Sequence, residues 1–140
     1  MWENIKLKYI IPNTGYVIAI HTIDQECLVT ITRNGIITIW NIKNMNWLQT
    51  DRVNGNSEII FSCLSYQKNF LAVLNENRDV VLYKLQKDII LNPAYIKIIE
   101  CSRLTYIHKL TCCEISQNEK YLAIGFENGN ISVSFYYKLF

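Results

Sequence analysis

The amino-acid sequence predicts an all-β protein built from repeated units, each a set of short antiparallel strands. Three observations carry the prediction. The stretch from Ser116 to Val133 reads as a turn, a strand, a tight turn and a second strand. Two earlier stretches repeat that order. The residue choice, with 12% aromatics and many Ile, Val and Tyr, favours strands over helices.

The stretch at Ser116 is the sharpest copy. Ser116-Gln117-Asn118-Glu119-Lys120 is a turn, because Ser and Asn side chains hydrogen-bond their own backbone. Tyr121 to Phe126 is an apolar run of strand length. Glu127-Asn128-Gly129 is a hairpin signal, since Asn and Gly tolerate the positive φ that a tight hairpin requires. Asn130 to Ser134 then alternates polar and apolar, the period of a half-buried strand.

From the N-terminus, Trp2 to Ile11 starts as an alternating strand, and Pro12 to Gly15 stops it. Tyr16 to Ile20 is a strand, His21 to Glu26 a polar connection, and Cys27 to Ile31 a strand. Thr32 to Gly35 is a tight turn, Ile36 to Trp40 a strand and Trp47 to Val53 another. After the loop Asn54 to Ser57 the order recurs. Glu58 to Leu64, Phe70 to Leu74 and Asp79 to Tyr83 read as strands, with a turn at Asn75 to Arg78. Lys84 to Ile107 is longer than its counterpart and holds an outer strand at Tyr95 to Glu100 and a loop at Asn92-Pro93. His108 to Ile115 leads into the sharpest copy.

The copies align without a gap across their central strands, with Leu28, Leu71 and Leu122 at one position and Gly35, Arg78 and Gly129 at another. The interval is in the forties from Gly35 to Arg78 and about fifty from Arg78 to Gly129, and about four short strands fill each. That period is the mark of a propeller blade. The extra length falls around Asn92-Pro93, where a loop tolerates insertion.

These residues resemble the WD-repeat family over nearly the whole chain. Leu122, Ala123, Gly125, Gly129, Ile131 and Val133 match its turn and strand pattern, and the first copy keeps Gly35, Ile37, Ile39 and the blade-closing Trp40. The family's Trp-Asp pair is Trp40-Asn41, Tyr83-Lys84 and Ser134-Phe135 here, and its turn aspartate is Asn34, Asn77 and Asn128. No copy has the Gly-His pair, and His108 lies too close to its strand. The family's buried Asp-His-Ser-Trp network is therefore expected to be absent, leaving apolar packing between sheets to hold the blades.

The resemblance implies an all-β partial propeller of WD-repeat type with about three four-stranded antiparallel blades, as units 16–53, 58–107 and 108–140, and residues 1–11 as a candidate closing strand. Closed propellers carry about 4–8 blades. Three would leave two open sheet faces, so the chain is expected to be a fragment of a longer protein that supplies further blades. The apolar run Phe135 to Phe140 agrees with that expectation.

Composition narrows the function. Half of the 140 residues are hydrophobic, enough for a packed core, and charged residues, at 19%, are scattered. The net charge of +2 and the wide spacing of Lys6, Lys8, Arg33, Lys43, Arg52 and Lys68 offer no track for nucleic acid. No apolar run approaches the roughly 18 residues that span a bilayer. The N-terminus lacks the apolar core of a signal peptide. Five cysteines in no disulfide spacing point to a reducing, cytoplasmic setting. The acceptor sequence Asn130-Ile131-Ser132 is then a chance match.

Catalytic and metal chemistry find no footing in the sequence. His21 reads as a loop residue and His108 as a strand start, each without a nucleophile motif nearby. Adjacent residues of a strand point to opposite faces, so Cys112-Cys113 cannot share a metal, and both read as buried reduced thiols. The glycines stand singly at turns, not as a phosphate loop. Glu114 faces either a propeller channel or an exposed side. Trp40 and Tyr83 are expected in the core. Trp2, Trp47, Tyr136 and Tyr137 are expected between blades, with anchoring of a partner as the other use. No catalytic, cofactor or metal residue is assigned, and no cofactor is expected. The function implied is a non-catalytic scaffold or adaptor for protein partners. The alternatives are a face that binds nucleic acid or lipid headgroups, or an enzyme at the channel mouth.

Overall fold

The turns decide where each strand stops. In the computed structural model, which describes residues 15–43, 46–53, 57–88 and 95–135, the aligned residues Gly35, Arg78 and Gly129 all have positive φ, at 88°, 67° and 91°. Each donates its backbone N–H three residues back, to Thr32, Asn75 and Phe126, at 2.9, 3.2 and 3.0 Å. The first turns of the second and third units match each other likewise. Lys68 and Glu119 have φ of 65° and 60°, and their N–H groups bond the carbonyls of Ser65 and Ser116.

These turns divide eleven strands into three antiparallel meanders. The first sheet runs β1 (Val17–Thr22), β2 (Cys27–Thr32), β3 (Ile36–Asn41) and β4 (Asn46–Arg52) in spatial order. The second runs β5 (Ile59–Leu64), β6 (Phe70–Asn75), β7 (Asp79–Asp88) and β8 (Tyr95–Thr105). The third runs β9 (Leu110–Ile115), β10 (Tyr121–Phe126) and β11 (Ile131–Phe135). No helix occurs among the described residues. Even the irregularities repeat: the register shifts between Ile39 and Trp40 in the first sheet and between Leu82 and Tyr83 in the second. A bulge re-aims a strand, so equivalent bulges give the two sheets the same bend.

Strand alternation gives each sheet two faces. The leading face of the first sheet, with Val29, Ile31, Ile37 and Ile39, packs on the trailing face of the second, with Leu71, Val73, Val81 and Tyr83. The leading face of the second, with Ala72, Leu74, Val80 and Leu82, packs on the trailing face of the third, with Leu122 and Ile124. The first strands of successive sheets, β1, β5 and β9, lie side by side. Sheets stacked in this way about their first strands are blades around an axis.

Several expectations change. His21 belongs to β1 rather than to a loop, because it pairs with Val29 and the ladder runs on to Thr22↔Leu28 at the strand end. The outer strand β8 runs on past Glu100 to Thr105, paired with the long β7. The third sheet has three strands among the described residues instead of four. The candidate closing strand at 1–11, Trp2, the Asn92-Pro93 loop, Tyr136 and Tyr137 lie outside the described residues, as does the side chain of Trp47.

Candidate interaction surface

The third sheet presents the one leading face that no sheet covers among the described residues. Ile131 and Val133 on β11 are 74% and 65% exposed. Their repeat equivalents, Ile37 and Ile39 in the first sheet and Val80 and Leu82 in the second, are at most 2% exposed. Tyr121 and Phe135 add exposed rings to the same face, with centroids 5.0 Å apart. The middle of the face is hollow: where the other sheets carry Val29 and Ile31 or Ala72 and Leu74, the third carries Ala123 and Gly125. A groove of about 410 Å³ follows, walled by Phe61 and Ile131 with Glu114 at its side. A Cβ at Gly125 would stand 2.8 Å from the Cys112 sulfur, so glycine is what keeps the hollow open beside that side chain. Glu114 is exposed beside this groove.

The opposite end of the stack is different. The trailing face of the first sheet carries Thr30, Thr32, Thr38 and Trp40, all buried. Two open faces were expected; the middle of this one is buried, while Ile20 at its β1 edge, opposite Thr30, is 65% exposed. Trp40 is in the core as expected, and its Nε1–H donates to Thr30 Oγ1 at 2.9 Å. Tyr83 is buried as well.

Polar bonds between sheets add to the apolar packing that was expected. Glu119, 3% exposed, accepts a hydrogen bond from Ser65 Oγ at 2.8 Å and one from Asn69 Nδ2 at 3.1 Å. Ser65 Oγ accepts in turn from the N–H groups of Asn69 and Phe70. A buried carboxylate is tolerable when its lone pairs are occupied in this way. The sequence showed Glu119 as one more polar turn residue; the usable signal was its alignment with Lys68, which puts the two turns side by side. His21 Nε2 lies 2.7 Å from Ser62 Oγ and ties β1 to β5. Burial, aided by the charge of Lys68, lowers the His21 pKa, so its imidazole is neutral near neutrality. A base beside a hydroxyl has the outline of a nucleophile pair. Ser62 is buried, however, and its hydroxyl offers no open path to a substrate carbonyl.

The cysteines also rearrange. Cys113 is buried and Cys112 exposed, so the adjacent pair splits between faces and only one of the two is the buried thiol expected. Among the described residues no group of three or more His, Cys, Asp or Glu is placed to hold a metal. His108 is exposed before β9, with its ring edge-on to Phe126. Basic side chains stand beside acids rather than in a track: Arg33 with Glu58, Lys43 with Glu26, Lys87 with Asp24, Arg103 with Glu100 and Lys109 with Glu127. Among the described residues no helix is long and apolar enough to cross a membrane.

The stack matches solved structures closely in shape. The C-terminal WD40 domain of Sif2 superposes with a TM-score of 0.70 at 13% identity, over 90% of this chain and 35% of that one. The fold is that of a WD40 β-propeller segment. The β-propeller domain of Myceliophteria thermophila Cps50 (Swd1) superposes equally well, with a TM-score of 0.70 at 12% identity, over 86% of this chain and 37% of that one. The chain thus spans little more than a third of either WD40 chain. No protein-family model and no curated protein matches the sequence.

Proposed function

We propose that the chain is a non-catalytic WD-repeat scaffold segment that binds protein, and that the leading face of its third sheet is the surface it binds through. One observation carries this reading. Ile131 and Val133 occupy positions that are core in both preceding sheets, yet they stand in solvent here. Burying a side chain of this size is worth roughly 1.5–3 kcal/mol, and contiguous apolar surface of this kind marks an interaction site. The nearest occupant in chemistry is another β-sheet face, such as a further blade of a longer chain. The pairing of basic with acidic groups supports protein over nucleic acid as the partner.

A photo-crosslinking residue at Val133, compared with one at Lys109, tests the reading in the cell that makes the protein. Protein adducts specific to position 133 are expected. Equal labelling from both positions, or adducts to nucleic acid or lipid at 133, would refute it.

A further inference from the structure

We propose that Cys63 and Cys113 are a disulfide-forming site, at which a hydroperoxide links the first strands of the second and third sheets. The sulfurs lie 3.1 Å apart, on β5 and β9, and the residues are fifty positions apart in sequence. Stacking of the two sheets alone creates this proximity. Both side chains are buried in the shared core with Ala72, Leu122 and Ile124. A disulfide requires about 2 Å between sulfurs, so roughly 1 Å of approach by side-chain rotation completes it.

Both thiols are buried on the core side of the third sheet, so a small oxidant reaches the Cys113 sulfur as the seam between β5 and β9 breathes. The Cys113 sulfur attacks the terminal oxygen of the hydroperoxide. An S–O bond forms, the O–O bond breaks, and the departing alkoxide takes the Cys113 proton and leaves as an alcohol. The Cys63 sulfur then attacks the sulfenic sulfur. The S–S bond forms, the S–O bond breaks, and hydroxide leaves as water with the Cys63 proton. The two sulfurs lose two electrons, and the peroxide gains them.

The hydrogen bond to Cys63 and then burial push the Cys113 thiol well above its ordinary range. The carboxylate of Glu114 on its own strand acts in the same direction. The thiolate is the reactive form, so oxidation is slow at neutral pH. The site is therefore a staple set by sustained peroxide rather than a fast sensor.

The test treats the 140-residue chain with hydrogen peroxide, blocks residual thiols, digests with trypsin and maps linked peptides. A parallel sample is oxidised in guanidinium. A link between segments 53–68 and 110–120 is expected to dominate the native sample and to be diluted by other pairings in the denatured one. Because the second segment holds both Cys112 and Cys113, C112S must keep the link while C63S and C113S lose it. The oxidised chain should melt several degrees above the reduced one. A link that survives C113S, or the same distribution of links in native and denatured samples, would overturn the proposal.

Discussion

Replacing Glu119 by alanine tests the polar joint between the second and third sheets. The carboxylate accepts one bond from a hydroxyl with no exposure at all, Ser65, and one from the more exposed Asn69. Hydrogen bonds to a charged group contribute about 1.5–3 kcal/mol, and leaving the buried Ser65 donor unpaired carries a desolvation cost of similar size. Asn69 recovers much of its loss by turning to water. The net loss expected for Glu119→Ala is therefore about 3 kcal/mol. For a chain of this length that is a fall of roughly 10 °C in melting temperature. Glu119 also sits at φ 60°, where a side chain carries about 1–3 kcal/mol of backbone strain. Glu119→Gly removes the same bonds but releases the strain, so it should lose about 1 kcal/mol or more less than the alanine variant. Urea unfolding followed by circular dichroism measures both. The exposed ion pair of Glu127 with Lys109, at 3.8 Å, provides the control, and Glu127→Ala should change stability by under about 0.5 kcal/mol. If Glu119→Ala also stays within that margin, the carboxylate is not a structural joint.

The repeat makes a second prediction at Arg78, the one copy of the hairpin turn that lacks glycine. Arg78→Gly should stabilise the chain by about 0.5–1 kcal/mol, because the φ of 67° is relieved and the bond lost, from the arginine to the carbonyl of Ile107, is exposed. A loss in the same urea assay would contradict this. Acidification makes a third. The His21 pKa is lowered in the folded chain, so below about pH 6.5 the unfolded chain takes up a proton that the folded chain refuses. Stability is full above that value, falls as pH drops from it toward the depressed folded value, and levels off once the folded chain is protonated too. His21→Asn should flatten the dependence between about pH 5 and 7, as read by thermal melts across that range.

The parts of this fold that were legible in the sequence are those fixed by neighbouring residues. Asn34-Gly35 and Asn128-Gly129 announce their turns by backbone chemistry, and Arg78 was placed only because its unit aligns with theirs. The alternation in Ile131-Ser132-Val133 showed two faces, but alternation does not say whether a face is covered. That depends on whether another sheet follows. His21 was read as loop because the polar run after it hides the end of β1. The joints between sheets were not legible. Glu119 meets Ser65, and Cys63 meets Cys113, across fifty or more positions, and only the stacking of sheets brings them together.

The account stands on one asymmetry: the same repeat position is core in the second sheet and free surface in the third. The most direct measurement is the unfolding free energy of Val133→Lys beside Leu82→Lys in the 140-residue chain. Leu82 is buried between sheets, and an unpaired charge there should cost more than about 4 kcal/mol or abolish folding. Val133→Lys should change stability by less than about 0.5 kcal/mol, because its side chain is already in water. An equal loss in both variants would mean that the third sheet's leading face is already packed, and that the interaction surface lies elsewhere.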